Sequence, residues 1–271
     1  MIKDFNALIG WVTETIPCNQ FILVTDCQTD GSFAIHNFLS TFVRSHHKVI
    51  FLSLGQSFGH YNSVAQKLGT NLSSAKSSGQ LTHIDGLQFS LQLCRDSSED
   101  KTPGEKLSVF TECLRCGSLR PLYLTIMDLI KSQSTSSTPS PVSVVIDDLS
   151  LLMSLGFKAQ AITEFIHYCR TALWKLSQNA GNLVTLVHDD ADGLDDDASH
   201  LVIALSHQTD MLIKVEGLTS GFSKDVHGQV TIVHRGLHQS TPGRRKATSV
   251  HYKILDKTVS FFPMGTSSAV L

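Results

Sequence analysis

The chain has 271 residues, 41% hydrophobic and 17% charged, with a formal net charge of −2. That suffices for one large α/β core, read as a single domain over residues 1–271. So neutral a charge supplies no global field toward nucleic acid or an anionic membrane, and no apolar run is long enough to span a bilayer.

Asp4–Glu14 patterns as a short amphipathic helix carrying Phe5, Leu8, Ile9 and Val12. Charges in Met1–Phe5 stand where a signal peptide's apolar core would begin. The scattered cysteines (Cys18, Cys27, Cys94, Cys113, Cys116, Cys169) therefore read as reduced, mostly buried thiols of an intracellular protein. Phe21–Thr25 has the composition of a buried parallel strand. Asp26–Ser32 is a polar, turn-forming loop, and a helix follows from Phe33.

Strand, Gly-bearing loop and helix are the setting of a phosphate-binding loop, G-x-x-x-x-G-K-[ST]. Here the first Gly falls on Asp26, the second on Gly31, the Lys on Ser32 and the Mg²⁺-binding hydroxyl on Phe33. Asp26 and Asp30 also bring negative charge toward a polyphosphate, each repulsion of order ~4 kcal/mol at ~4 Å and an effective dielectric of ~20. The expectation is a degenerate nucleotide loop without cofactor, or an ordinary βα turn.

Further along, Lys48–Leu54 reads as a second buried strand and Gly55–Gly59 as its turn. Tyr61, Val64, Ala65 and Leu68 space out a helix that ends at Gly69. Gln80–Asp85 is a shorter strand, and Cys94–Gly104 a polar surface loop. Leu119–Ile130 is a helix, and Lys131–Pro141 a Ser/Thr/Pro tract expected to be a mobile loop. Val142–Ile146 is the clearest buried strand and runs into Asp147 and Asp148. A helix over Ile162–Trp174 and a strand over Asn182–Val187 follow, then an acidic loop over Asp189–Asp197. Met211–Glu216, Gly228–Val233 and Val250–Ile254 alternate as half-buried antiparallel strands do, and Lys257–Phe262 completes a hairpin. The fold class is α/β: a mostly parallel sheet flanked by helices, with antiparallel strands at its C-terminal edge.

Asp147 and Asp148 suit a degenerate Walker B strand, whose Asp holds Mg²⁺ through water, or else a helix start. Gly55–Gly59 matches the G-x-S-x-G nucleophile elbow, and Asp210 and His251 allow the order Ser57, Asp, His of a serine esterase. No His-Gly-Gly-type oxyanion loop lies upstream, so an esterase is the alternative reading. Cys113 and Cys116 have metal-pair spacing but no second pair. Asp189–Asp197 lacks the order of a calcium loop. Arg244, Arg245 and Lys246 form a basic loop able to touch phosphate weakly.

Specific stretches resemble one family nearly end to end. They are Thr29-Asp-Gly-Ser-Phe33, Gln56-Ser-Phe58 with His60-Tyr61, Gln66-Lys-Leu-Gly69, Asp147-Asp-Leu-Ser150 with Ser154-Leu-Gly156, and Phe165-Ile-His-Tyr-Cys-Arg170. Glu216-Gly-Leu218, Asp225-Val-His-Gly-Gln229 and Asp256-Lys257 with Val259-Ser-Phe-Phe262 continue the match. The sequence is similar to the sixth subunits of Elongator, the complex that modifies the wobble uridine of tRNA. The resemblance implies a RecA-like (P-loop NTPase-type) fold and a heterohexameric ring with the fourth and fifth Elongator subunits. It further implies that the ring binds tRNA and docks on the larger catalytic subcomplex, in the cytoplasm and also the nucleus. It offers no catalytic residues and no cofactor, and implies a pseudo-ATPase subunit. An Arg reaching a neighbour's nucleotide, Arg170 or Arg235, is a further expectation. The channel-facing loop would be the one after Asn182–Val187, which is acidic and unsuited to tRNA phosphates, so the basic loop of Arg244, Arg245 and Lys246 is the alternative tRNA contact.

Overall fold

The computed structural model describes residues 5–11, 16–87, 109–134, 140–177, 179–189, 196–218, 221, 223–235 and 246–265. The strands are β1 (Phe21–Cys27), β2 (Lys48–Ser53), β3 (Leu81–Asp85), β4 (Val142–Ile146), β5 (Ala180–His188), β6 (Met211–Glu216), β7 (Gly228–His234), β8 (Lys246–Ile254) and β9 (Val259–Pro263). They form one sheet in the order β3-β2-β4-β5-β1-β6-β7-β8-β9. Pairing is parallel from β3 through β6 and antiparallel from β6 to β9. The expected mostly parallel sheet with an antiparallel edge is what the chain forms.

The helices are α1 (Phe5–Leu8), α2 (Ser32–Arg44), α3 (Phe58–Lys67), α4 (Leu72–Ser77), α5 (Val109–Cys116), α6 (Arg120–Ser134), α7 (Ser150–Ser154), α8 (Ala159–Leu176) and α9 (Asp196–Gln208). They cover the parallel strands on both faces, which is why β4 is buried throughout and β1 as far as Asp26, with apolar residues at most positions. Alternate side chains of β1 divide between two cores. Phe21 and Leu23 join the α6 and α8 side with Ile126, Ile162 and Phe165, whereas Ile22 and Val24 join the α2 side with Phe38 and Phe42. Each such fully buried side chain contributes roughly 1.5–3 kcal/mol of transfer free energy.

β7 and β8 bury mainly one face, whereas β9 buries Phe261 and Phe262 on opposite faces. Val230, Ile232, Val250, Tyr252 and Phe261 extend the α2-side core, where Phe5 of α1 meets Phe38 and Phe261. β6 differs from expectation: it pairs parallel with β1 and antiparallel with β7, so it is the hinge between the two regimes. Its alternation reflects a side chain at Lys214 that is half-buried beside residues that are buried.

Short or polar helices are where pattern reading fell short. α4 has six residues, three of them Ser, and depends on the Asn71 side chain accepting from the Ser74 amide at 2.9 Å. α6 runs four residues past Ile130 into the expected mobile tract. There the Ser132 and Ser134 hydroxyls donate back to Leu129 and Ile130 carbonyls, and Gln133 reaches Thr82. The expected loop Cys94–Gly104 lies outside the described residues. Of the described cysteines, Cys113 and Cys169 are buried, Cys27 is intermediate, and Cys18 and Cys116 are exposed, so burial is less general than expected.

Candidate functional site

In open α/β sheets ligands sit at the carboxyl ends of the strands. Here that edge gathers the β1–α2 loop, the residues after β2 and β4, and the end of β5. Asp26 ends the apolar part of β1 and is in register with His188 of β5. Its carboxylate is buried and turns into its own loop, where Oδ2 accepts from the Gly31 amide at 2.8 Å. Asp30 Oδ1 accepts from the Ser32 amide at 2.8 Å. Two amides at the start of α2, which in a phosphate loop would face the anion, are thus held by the chain's own carboxylates.

Gly31 is explained by this closure. A Cβ there would lie 3.0 Å from Asp26 Cβ and 3.3 Å from Oδ2, although its φ of −89° suits any residue. Phe33, at the position of the Mg²⁺-binding hydroxyl, is buried against Tyr252, Phe5 and Phe261, with the Tyr252 ring centroid 5.2 Å away. Tyr252 in turn shares a 2.7 Å hydrogen bond with Thr29 of the loop.

Asp147 and Asp148 end β4 with different tasks. Asp147 Oδ2 accepts from the Gly55 amide at 3.0 Å and pairs with the Tyr61 hydroxyl, tying β4 to the turn after β2. Burial pushes its carboxyl up from the ordinary range, opposed by those two hydrogen bonds. Asp148 takes a left-handed φ of +49°, caps the Ser150 amide at 3.0 Å through Oδ1, and turns Oδ2 toward His188.

His188 completes the cluster. Its Nδ1 is 2.5 Å from Asp26 Oδ1 and its Nε2 is 3.1 Å from Asp148 Oδ2. A neutral imidazole donates from one nitrogen only, so a carboxylate on each selects the imidazolium. Its pKa is pushed up to about 11, first by the bond to Asp148, then by that to Asp26, with burial opposing. His188 and Tyr61 are not among the candidate site residues of the sequence, and Gly55 enters there only as part of the Gly55–Gly59 elbow. The only available signal for His188 is its place at a strand end beside acidic strand ends.

The esterase constellation does not assemble. Ser57 is the N-cap of α3 and accepts from the His60 amide at 3.3 Å. Asp210 sits at the opposite edge of the sheet, before β6, where it accepts from the Phe21 amide at 2.8 Å. β6 lies four strands from β2 in the sheet, and His251 is on β8, six strands from β2. At ~4.8 Å per strand, Ser57 beyond β2 is separated from Asp210 and from His251 by roughly 20 Å or more.

Arg170 and Arg235 also lie at that opposite edge. Arg170 donates to the Gln208 carbonyl at 2.6 Å, pairs with Asp210 at 3.4 Å and stacks on Trp174 at 4.1 Å. Arg235 donates to the Ser206 carbonyl through its side chain and to the Asp210 carbonyl through its amide. Both guanidinium groups serve the chain's own packing, away from the Asp26 loop. Arg244 and Arg245 lie outside the described residues, as do residues 190–195 of the acidic loop, while Lys246 opens β8. Cys113 and Cys116 share α5.

A mostly parallel α/β sheet flanked by helices, with antiparallel strands at its C-terminal edge, defines the class: a RecA-like fold. The chain matches the family described as Elongation complex protein 6 over residues 2–256. It is 40% identical over 272 residues to Elongator complex protein 6 of Xenopus laevis and 38% identical over 273 residues to that of Homo sapiens, in both cases covering 100% of each chain. The protein of the same name from Dictyostelium discoideum is 25% identical over 330 residues, covering 97% of this chain and 96% of that one. The chain belongs to the Elongator complex protein 6 family.

Proposed function

We propose that this chain is a non-catalytic Elongator subunit whose work is assembly. Family membership supports its place in that complex. The finer reading follows the family resemblance: with the fourth and fifth subunits it builds a heterohexameric ring. The ring binds tRNA, docks on the larger catalytic subcomplex and supports wobble-uridine modification, in the cytoplasm and also the nucleus. The observation that carries the non-catalytic part is that the Gly31 and Ser32 amides already donate to Asp26 and Asp30. An incoming polyphosphate would have to displace two carboxylates and then face them. Among the described residues no helix is long and apolar enough to cross a membrane. Affinity purification of the tagged chain, followed by native mass measurement, tests the reading. The expected product is a discrete assembly with two other RecA-like chains in equal copies. A stable monomer would overturn it.

A further inference from the structure

The charges at the carboxyl edge alternate as they would in a filled nucleotide site. A carboxylate rests on a loop amide, a cation rests on that carboxylate, and a second strand-end acid holds the cation. We propose that the loop is self-liganded: Asp26 stands in for a bound anion at the Gly31 amide, and His188, steadied by Asp148, stands in for the cation that would neutralise it. The inference concerns what fills the mouth of the fold and is independent of which chains surround it.

Three observations support it separately. Asp26 is 2% exposed, so its charge requires a partner, and the two it has are an amide of its own loop and the imidazolium. A Cβ at Gly31 would crowd Asp26, whose side chain would have to give by a few tenths of an ångström. The two acids that hold His188 end β1 and follow β4, so one ring pins three neighbouring strands of the sheet. Around the ring stand Asp26 from β1, Asp148 after β4, Asp189 next in the chain, and Lys158 and Asp197, of which the last two line the adjoining cavity with His188. Acids outnumber the other cation, which favours a protonated ring.

Two measurements on the full chain test the proposal. Side-chain nitrogen NMR should find both His188 ring nitrogens protonated up to about pH 9, with Asp26→Asn lowering the titration by one unit or more. Inorganic phosphate should leave the Tm of the wild type unchanged. Asp26→Gly should lose roughly 10 °C and regain part of it on phosphate addition, because the Gly31 amide is then free for an anion. Should Asp26→Gly fail to fold, the wild-type and Asp26→Asn titrations decide the matter. Titration of wild-type His188 near the ordinary histidine value would overturn the proposal. So would phosphate stabilisation of the wild type equal to that of Asp26→Gly, or a folded Asp26→Gly chain indifferent to phosphate.

Discussion

The two edges of the parallel sheet carry polar networks of different construction. At the amino edge, Arg170 joins α8 to Gln208 and Asp210, and Asp210 receives the Phe21 amide. Asn182 binds Pro17 and Gln20, while Ser143 links the Asn182 amide to His47. Arg170 there keeps its charge across the accessible range, even though burial lowers its pKa. At the carboxyl edge the cation is His188, whose charge depends on two carboxylates. Both edges are bonded largely within the chain, but the cation of the carboxyl edge can be lost by deprotonation and that of the amino edge cannot. The difference shows two ways in which the strand ends of one sheet are held together by the chain's own polar groups.

The largest expected loss tests the amino edge. Arg170→Ala removes the stacking on Trp174 and the bond to Gln208, and leaves Asp210 without its cation. Breaking such a half-buried network should cost about 3 kcal/mol, read as a lower Tm by calorimetry. An unchanged Tm would mean the guanidinium is free for other work, such as reaching a neighbouring chain.

At the carboxyl edge, Asp26→Ala should cost about 2 kcal/mol, since it strands the Gly31 amide and one side of His188. Chemical denaturation would measure it.

The third prediction separates the edges by pH. His188 has a folded pKa of about 11, above its ordinary 6.5, so its contribution is complete below about pH 6.5 and is lost as pH rises toward 11. His188→Gln should flatten the fall in stability between about pH 7 and 10, whereas Arg170→Ala should not. Equal slopes in both variants would remove His188 as the source.

Smaller effects are expected beside the Asp26–His188–Asp148 cluster. Asp147→Asn keeps an acceptor for the Gly55 amide and removes a charge that burial disfavours, so it should change stability by no more than about 1 kcal/mol. Ser57→Ala should cost about 0.5–1 kcal/mol as a lost helix cap, and a serine-reactive probe should leave Ser57 unlabelled. Labelling would revive the esterase reading.

Much of this comparison was legible in the sequence. Buried strands announce themselves by composition, so β1, β4 and the acids at their ends could be placed without coordinates, as could Phe33 where a phosphate loop would carry its Mg²⁺-binding hydroxyl. His188 could not be found that way, because its carboxylate partners are 162 and 40 residues away and meet it only once strand order is fixed. Arg170 was likewise opaque. An arginine on an amphipathic helix does not reveal whether it faces solvent or folds down over a sheet edge onto Trp174. α4 and α9 were lost for a local reason: a six-residue Ser-rich turn and a helix starting inside an acidic run give little apolar periodicity.

The central claim, that the nucleotide-type edge is occupied by the chain's own side chains, is tested most directly by the backbone amide NMR signals of Gly31 and Ser32 during Mg–ATP addition. The account predicts that both stay where they are up to millimolar nucleotide, because Asp26 and Asp30 already hold them. Saturable movement of both signals would contradict it.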